Sequence, residues 1–395
     1  MAPMVDEQAE ASYGARVGAG YFRWRQARAK RQQDQLYYAS QPQLVWHAFK
    51  KHKLAMVALV VLSVLYLLAI FADFFAPFGP VERFKDFNDA PPTAIHIFDP
   101  DGALRRPFVY ETVRALNRKT FLFDYVRDES KQHVIRLFVP TAPYKVLGLL
   151  PMQVKFFGLV DREMPFLIFG ADRLGRDVYS RILYAGRISL FIGIGGVIFT
   201  FLLGATLGGI SGYYGGVVDD IIQRIIEVLI SIPDIPIWIA LSAALPRDWG
   251  TIKIYFAITL ILAVRGWTGL ARVVRGKIIS LREEEFSLAA KAAGASDHRI
   301  IFRHLLPAFI SYLIVHITLA IPGMILGETA LSFLGLGIKP PAVSWGTLLQ
   351  DAQEISVLAD LPWLLIPAIF VVIAILMFNF VGDGLRDAAD PYASR

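Results

Sequence analysis

Long apolar runs separated by shorter polar stretches dominate the chain after about its first fifty residues. The first run, residues 54–75, follows a basic stretch at residues 50–53. Its length is sufficient to span a membrane and too great for the core of a signal peptide. Five more apolar runs occupy residues 188–210, 221–245, 254–270, 305–326 and 361–381. The pattern therefore predicts an all-α polytopic membrane protein with six transmembrane helices, of which the third is interrupted by Glu227, Pro233, Asp234 and Pro236.

Basic residues are distributed unequally between the predicted loops. Residues 1–53 contain nine Lys and Arg against four acids, and residues 265–304 contain eight Lys and Arg. By contrast, residues 327–360 contain only Lys339. Since Lys and Arg concentrate in loops on the cytoplasmic side, we expect both termini and the 265–304 loop to be cytoplasmic.

The stretch between the first two spans has a different pattern. It mixes charges of both signs, alternates polar and apolar residues over 133–139, and contains a turn signal at 99–102. These features predict a small β-rich extracytoplasmic insert, which we expect to contact other proteins rather than solute. The predicted organisation is a cytoplasmic N-terminal segment (1–53), a first transmembrane helix (54–76), the insert (77–187), a membrane core (188–385) containing the cytoplasmic loop 271–304, and a cytoplasmic tail (386–395).

The amino-acid composition excludes several classes of protein and of functional site. Hydrophobic residues make up 55% of the chain, above the usual 45–50% of soluble proteins, and the formal charge of +6 is too mild to indicate a nucleic-acid partner. The absence of cysteine excludes a disulfide scaffold and a thiolate metal site. No His, Asp or Glu cluster has metal-ligand spacing. The string closest to a phosphate-binding loop, residues 269–277, has six residues between its glycines instead of four. We therefore expect no catalytic residue, metal or cofactor in this chain, and ATP with Mg²⁺ only on a partner.

One short motif raises the alternative that the chain is an intramembrane serine protease. The Gly-Ile-Ser-Gly sequence at 209–212 supplies Ser211, and His316 is the candidate base. The two residues are predicted about 16 Å apart in depth. The small residues Gly196, Thr200, Gly204, Gly208 and Gly212 instead form a ladder with a spacing of four, which lets helices approach closely. A self-contained secondary transporter is the other alternative, but the inverted repeats expected of one are not evident.

The 271–304 loop contains a candidate docking helix. Acidic residues at 283–285 suit a helix N-terminus and Lys291 suits its last turn. Gly294 is predicted to end the helix in the left-handed conformation, and Ser296 or Asp297 to cap the next one. The helix, residues 284–293, places Phe286, Ala289, Ala290 and Ala293 on one face. A flat face of this kind suits the groove of a partner protein.

At this segment the chain resembles the permeases of ABC importers. Ala289, Ala290, Gly294 and the Leu-Pro pair at 306–307 match the family's E-A-A-x3-G-x9-I-x-L-P loop, with Leu288 in place of Glu and His304 in place of Ile. Three more strings, at 169–181, 328–346 and 382–391, resemble the C-type permease subunit of oligopeptide, dipeptide and nickel importers, in a branch with a long insert.

This resemblance implies a type I ABC importer permease fold in the bacterial cytoplasmic (inner) membrane. It implies a homologous second permease, two ABC ATPase subunits in the cytosol and an extracytoplasmic solute-binding protein as partners, besides membrane lipid. The solute is a peptide, an opine, a metal chelate or an oligosaccharide. The residues expected to couple to the ATPase are Glu284, Glu285, Phe286, Leu288, Ala289, Ala290, Gly294 and Asp297.

Three polar or amphipathic residues in or near the spans are candidates for the translocation path. Asp234 lies between two prolines that free backbone carbonyls, and Trp238 follows one turn later. An intramembrane carboxylate normally faces the bundle interior or a wet cavity. Glu328 is predicted just after the fifth span, in either a re-entrant element or a folded loop.

Overall fold

The computed structural model describes residues 41–98, 102–116, 123–160, 164–246 and 248–389. Its helices are α1 (Gln41–Phe49), α2 (Lys53–Ile70), α3 (Ala72–Phe75), α4 (Val178–Tyr214), α5 (Gly216–Ser231), α6 (Asp234–Ala243), α7 (Thr251–Leu281), α8 (Glu285–Ala292), α9 (Asp297–Arg299), α10 (Leu306–Ala308), α11 (Ile310–Phe333), α12 (Trp345–Gln350), α13 (Ile355–Asp360) and α14 (Ile366–Ala389). Short 3₁₀ turns cover Lys85–Phe87 and Pro362–Leu365, and a π-helical turn covers Ile300–Leu305.

The described helices provide five that are long and apolar enough to cross a membrane, namely α2, α4, α7, α11 and α14 with its preceding turn. The pair α5 and α6 passes the same test as a sixth span only when the two helices are taken together. They are bent by 89° at the break between them. The prolines at 233 and 236 remove backbone donors at this break. The described residues thus provide five candidate spans, or the predicted six when this bent pair is counted as one.

The helix boundaries differ from the predicted ones. α4 begins at Val178, so the predicted insert, residues 77–187, includes ten residues of a membrane helix. α7 continues to Leu281, so residues 271–281 of the predicted loop are helical. The first helix ends at Ile70 rather than at residue 76. In the turns by which α7 overruns its apolar run, Arg275 is paired with Asp219, whereas Arg272 and Lys277 are exposed.

The insert contains an antiparallel sheet, as its pattern predicts. Strands β1 (His96–Phe98), β2 (Leu104–Leu116), β3 (Phe123–Val146) and β4 (Leu150–Leu159) are joined in sequence order. Tyr110 pairs with Gln132 between β2 and β3, and Val139 pairs with Lys155 between β3 and β4. The predicted turn at 99–102 lies mostly outside the described residues, as do most of the N-terminal segment and the end of the tail.

The glycine ladder of α4 brings helices close together, as predicted, and from Gly204 to Gly212 the neighbouring helix is α7. A Cβ atom built on Gly204 would lie 2.9 Å from the side chain of Leu270. One built on Gly212 would lie 2.7 Å from the carbonyl oxygen of Arg275. Only glycine allows the two backbones to approach this closely, so α4 and α7 form one closely packed helix pair.

Candidate functional site

The candidate docking helix is formed by α8, whose ends each lie one residue inside the predicted range of 284–293. Gly294 follows with φ of +80°, which confirms the predicted left-handed residue after the helix. Ser296, rather than Asp297, caps the next helix, since its hydroxyl accepts a hydrogen bond from the backbone N–H of Arg299. Two sharp turns therefore set α8 apart from α7 and α9 as a separate short helix.

The exposed face of α8 differs from the predicted one. Ser287 is buried, and Ala290 packs against an apolar cluster of the bundle that includes Leu270 and Ile301. Phe286 and Leu288 are 43% and 53% exposed. Glu284, Glu285 and Ala289 are exposed with them, whereas Ala290 of the predicted face is turned toward this chain's own core. The surface that α8 offers is an apolar ridge across its outer side, with Phe286 and Leu288 on opposite flanks of Ala289 and carboxylates at the N-terminal end.

Both flanks of α8 are bonded to the end of α4. The Arg282 guanidinium donates to the carbonyl oxygens of Gly212 and Tyr213 at 3.1 and 3.3 Å. The Tyr213 hydroxyl donates to Oδ1 of Asp297 at 2.8 Å. Sequence analysis singled out Asp297 but not Arg282 or Tyr213, because the residues are about seventy to eighty-four positions apart and no local pattern relates them.

A second set of bonds ties the end of α4 to α5 and α7. The Arg275 guanidinium donates two bonds, of 2.6 and 2.5 Å, to the two oxygens of Asp219. The buried Ser211 hydroxyl donates to Asp219 and accepts a bond of 3.1 Å from Gln223. The Ser211 hydroxyl thus donates its hydrogen bond to the Asp219 carboxylate and not to His316. The described geometry therefore gives no support to Ser211 as a nucleophile activated by His316.

Asp234 is paired as well as exposed. Its carboxylate forms an ion pair with Arg265 of α7, and the Arg265 guanidinium also lies 3.4 Å from the carbonyl oxygen of Ile230. The pair joins both sides of the break between α5 and α6 to α7. Nearly half of the Asp234 side chain nevertheless remains exposed. Asp234 is therefore a structural partner of α7 that still faces an open space.

Trp238 and Glu328 are more enclosed than Asp234. Trp238 packs among apolar residues of α7 and α11, and its Nε1 is buried without a hydrogen-bond partner. Glu328 is fully buried and lies inside α11, so the predicted loop or re-entrant element at this residue is wrong. Its two carboxylate oxygens accept bonds from Ser189 at 3.1 Å and from Ser332 at 2.6 Å. This carboxyl group links α4 to α11.

The string at 169–181 forms a polar cluster at the start of α4. The buried Asp172 accepts bonds from the backbone N–H of Leu174 and from both the backbone and side chain of Arg176, and it pairs with the buried Arg181. Asp177 caps α4, and burial raises its pKa to about 7 despite its hydrogen bonds from Ser180. The cluster determines how the chain enters the membrane helix.

No group of three or more His, Cys, Asp or Glu side chains that could hold a metal ion is present in the parts of the chain that the structure describes. The carboxylates of Asp172, Asp219, Asp234 and Glu328 are each bonded to other protein groups. The geometry is that of a helical bundle with internal polar links and an exposed apolar ridge on α8.

Comparison with known proteins identifies the family. Residues 204–395 match the family model of the binding-protein-dependent transport system inner membrane component, and residues 40–92 match that of the N-terminal TM domain of oligopeptide transport permease C. The chain is 42% identical over 228 residues to the dipeptide transport system permease protein DppC of Bacillus subtilis, covering 58% of this chain and 69% of that protein. This chain belongs to the binding-protein-dependent transport permeases. It is thus a multi-pass membrane permease of the ABC importer class, whose members work with an ATPase and a binding protein.

Two oligopeptide permeases agree with this assignment. The oligopeptide transport system permease proteins OppC of Bacillus subtilis and Haemophilus influenzae are 40% and 42% identical, over 56% of this chain and 71% and 70% of theirs. A structure of the MetNI methionine ABC transporter in inward-facing conformations has 19% identity and a TM-score of 0.38, covering 51% of this chain and 93% of that chain. Strands β1–β4 lie between the two matched regions, outside both family models.

Proposed function

We propose that this permease, together with a homologous second permease, forms the path for a peptide or a similar small solute. In this proposal two cytosolic ATPase subunits bind the two permeases and carry the ATP and Mg²⁺, and an extracytoplasmic binding protein delivers the solute. The peptide class is supported by the names of the relatives, which are dipeptide and oligopeptide transport permeases. The non-catalytic role of this chain follows from the same proposal.

The exposed ridge of α8 is the observation that carries the assignment of the ATPase contact. Phe286 and Leu288 leave apolar surface in water on a helix that Ser287 and Ala290 hold against the bundle. Leu288 replaces the Glu of the resembled motif, so we propose an apolar contact there instead of a salt bridge. An interfacial helix lying on the membrane is disfavoured by the exposed acids at 283–285, which an anionic leaflet repels.

The bonds at the two flanks of α8 give the route by which its movement reaches the path. Arg282 and Asp297 both connect to the last turn of α4, through Gly212 and Tyr213. A displacement of α8 therefore pulls on a membrane helix instead of deforming a loose loop. Tyr213 and Arg282 are positioning residues in this proposal, because they contact neither ATP nor solute.

The path itself is proposed along α5 and α6. Asp220, Arg224, Glu227 and Ser231 recur at intervals of three or four on the exposed side of α5, and the exposed Asp234 follows them. Charged residues within a span normally face a partner helix or a wet cavity. Trp238 and Glu328 are more enclosed, so among the residues predicted for the path Asp234 has the strongest support.

The length of α4 supports the proposed orientation. Arg187, near the insert, and Tyr213, near α8, are 26 residues apart on one continuous helix, about 39 Å along its axis. This exceeds the thickness of about 30 Å of the hydrocarbon core. The insert and α8 therefore fit opposite sides of the membrane, and we propose that α8 and both termini are cytoplasmic.

The docking helix is tested with the assembled transporter. The permease is tagged and co-expressed with its partners, and the ATPase that copurifies is measured. Phe286→Ala should reduce the ATPase retained, because truncating a central apolar contact costs more than about 1 kcal/mol, at least about fivefold in Kd. Ala289→Glu should reduce it as well, because it would bury an unpaired charge in the contact. Phe98→Ala, at an equally exposed Phe in the sheet, should retain it.

Coupling is tested separately from docking. Tyr213→Phe removes only the hydroxyl that bonds to Asp297, and Gly294→Val strains a left-handed residue with no atom within 4 Å of its Cβ position. The latter should cost at least about 1 kcal/mol, and more because valine is β-branched, which is still small against the stability of the whole bundle. Both variants should copurify with the ATPase but lose most of the ATP hydrolysis that loaded binding protein stimulates. Normal docking and normal stimulation in all four variants at 213, 286, 289 and 294 would overturn the assignment of α8.

A further inference from the structure

The turn between β3 and β4 carries an exposed apolar tip. Leu147, Leu149 and Leu150 are 47%, 79% and 63% exposed. Leu147 and Gly148 both have positive φ, of +53° and +73°. A turn of this geometry facing water favours Gly, Asn or Asp at such positions. Leucine at 147 is therefore not explained by the backbone of the turn, and the three leucines need an apolar environment.

The position of this turn relative to the membrane helices is fixed by hydrogen bonds. The backbone N–H of Leu147 donates to Oδ2 of Asp73 at 2.9 Å. Asp73 lies just beyond the end of α2, and the Arg187 guanidinium donates both to this carboxylate and to the carbonyl oxygen of Ile70, at 2.7 and 2.8 Å. The turn thus lies at the level where α2 ends, which is the level of the membrane boundary.

The side chains around this point are those that favour lipid headgroups. The Lys155 ammonium donates to the carbonyl oxygen of Asp73 at 2.7 Å and lies 4.4 Å from the ring centre of Tyr144. The Tyr144 hydroxyl donates to the carbonyl oxygen of Val154 at 2.6 Å. Tyr with a neighbouring Lys or Arg is typical of the polar-apolar boundary of a bilayer.

The apolar surface of the turn also continues onto the lipid-facing helix. Phe74 of α3 contacts the exposed Phe138 of β3, with ring centres 6.4 Å apart. Phe71, at the end of α2, is exposed as well. Only 22% of the most apolar window of α2 is buried in the protein, so most of this helix is open to lipid. The turn extends that surface outward from the spanning helix.

We propose that residues 147–150 insert into the boundary between headgroups and acyl chains and anchor the sheet to the bilayer. The continuity with α2 favours lipid over a protein partner as the occupant. Apolar side chains flanked by basic and aromatic residues are also the means by which interfacial segments bind membranes. The proposal depends on membrane localisation alone and stands independently of the assignment of α8.

The absence of cysteine in the natural sequence makes a direct test simple. Leu149→Cys, in the full-length protein, is labelled with a nitroxide and reconstituted in vesicles of phosphatidylethanolamine and phosphatidylglycerol. Glu129→Cys, at an exposed polar residue of β3, is the matched control. Collisions of the label with oxygen, which concentrates in lipid, and with a water-soluble nickel chelate are measured by electron paramagnetic resonance.

We expect the oxygen-to-nickel collision ratio at position 149 to be several-fold higher than at position 129. A ratio equal to that of the control would show the turn in water and overturn the proposal. Protection of position 149 from both reagents would show that a protein covers the turn, which would also overturn it. The measurement requires no transport activity, so its outcome is independent of the proposed function.

Discussion

The contact between α4 and α7 can be tested with one added methyl group. A Cβ atom on Gly208 would lie 2.9 Å from Cα of Ala271 and from Cβ of Val274, and closer still to the Ala271 carbonyl oxygen. Ordinary van der Waals contact begins at 3.4 Å. Gly208→Ala therefore forces the two helices apart by at least about 0.5 Å, since backbone atoms on α7 cannot rotate away.

The expected cost follows from that separation. A gap of about 0.5–1 Å forfeits a quarter to a half of each dispersion contact it opens. Gly204 and Gly212, one turn away on either side, bring the same two helices into contact, so the loss extends along the interface. Overpacking of this kind costs about 1–3 kcal/mol. The variant should insert in the membrane but unfold more easily.

Gly276→Ala is the matched control. It makes the same substitution inside α7, at an exposed position with no atom within 4 Å of the added methyl group. Alanine at a free helical position is favoured over glycine by about 0.5–1 kcal/mol. Both variants gain this helix propensity, so the free energy of unfolding, measured by titrating sodium dodecyl sulfate into mixed micelles, should differ between them by the overpacking cost alone, about 1–3 kcal/mol. Equal stability of both would refute the close packing of α4 on α7.

Two further predictions concern the insert and its location. Burial by itself raises the pKa of Asp73, but the bonds from Arg187 and the Leu147 amide outweigh it and hold the pKa below its usual value. These bonds therefore stabilise the attached sheet above about pH 4 and are lost as the pH falls further. The rate at which pepsin digests the sheet should rise as the pH falls below about 4. In Asp73→Asn, digestion should already be faster at about pH 4 and should change less as the pH falls. For orientation, a membrane-impermeant thiol reagent on intact cells should label Glu129→Cys and leave Glu284→Cys unlabelled; the opposite pattern would reverse the proposed topology.

Apolar runs predict that membrane helices exist but not where they end. Residues 188–210 contain no charge, and the sequence marks this run clearly, yet α4 extends ten residues before it and four after it. The additional turns contain Arg181, which pairs with Asp172 nine residues earlier, and Arg187, which pairs with Asp73 of a distant segment. The second pairing depends on tertiary contacts, and hydropathy along the chain carries no information about either pair.

Neighbouring residues in the sequence correctly predicted the helix α8 and the turn at Gly294, but they did not predict which face of α8 is exposed. Gly294, the acidic N-terminal turn and the short helix are determined by neighbouring residues, and they are found as predicted. Ala290, by contrast, has a helical periodicity equally compatible with a partner's groove and with the chain's own core. The apolar cluster that it contacts is formed by residues of α7 and the π-helical turn, which only the fold brings together.

The same distinction explains the residues that sequence analysis missed. The polar series on α5 has helical spacing and could have been recognised as an unusual feature of a span. Tyr213 and Arg282 had no such signal, because an aromatic residue and an arginine at helix ends are common.

The arrangement of bonds around α4 suggests which parts of the permease move together. Both flanks of α8 are bonded to the last turn of α4, and the close packing at Gly208 joins α4 to α7. A force on α8 must therefore move α4 and α7 as one unit. The break between α5 and α6 has exposed residues on both sides and, besides its packing, one ion pair to α7. Relative motion is consequently easiest at that break, next to Asp234, where the proposed path is lined.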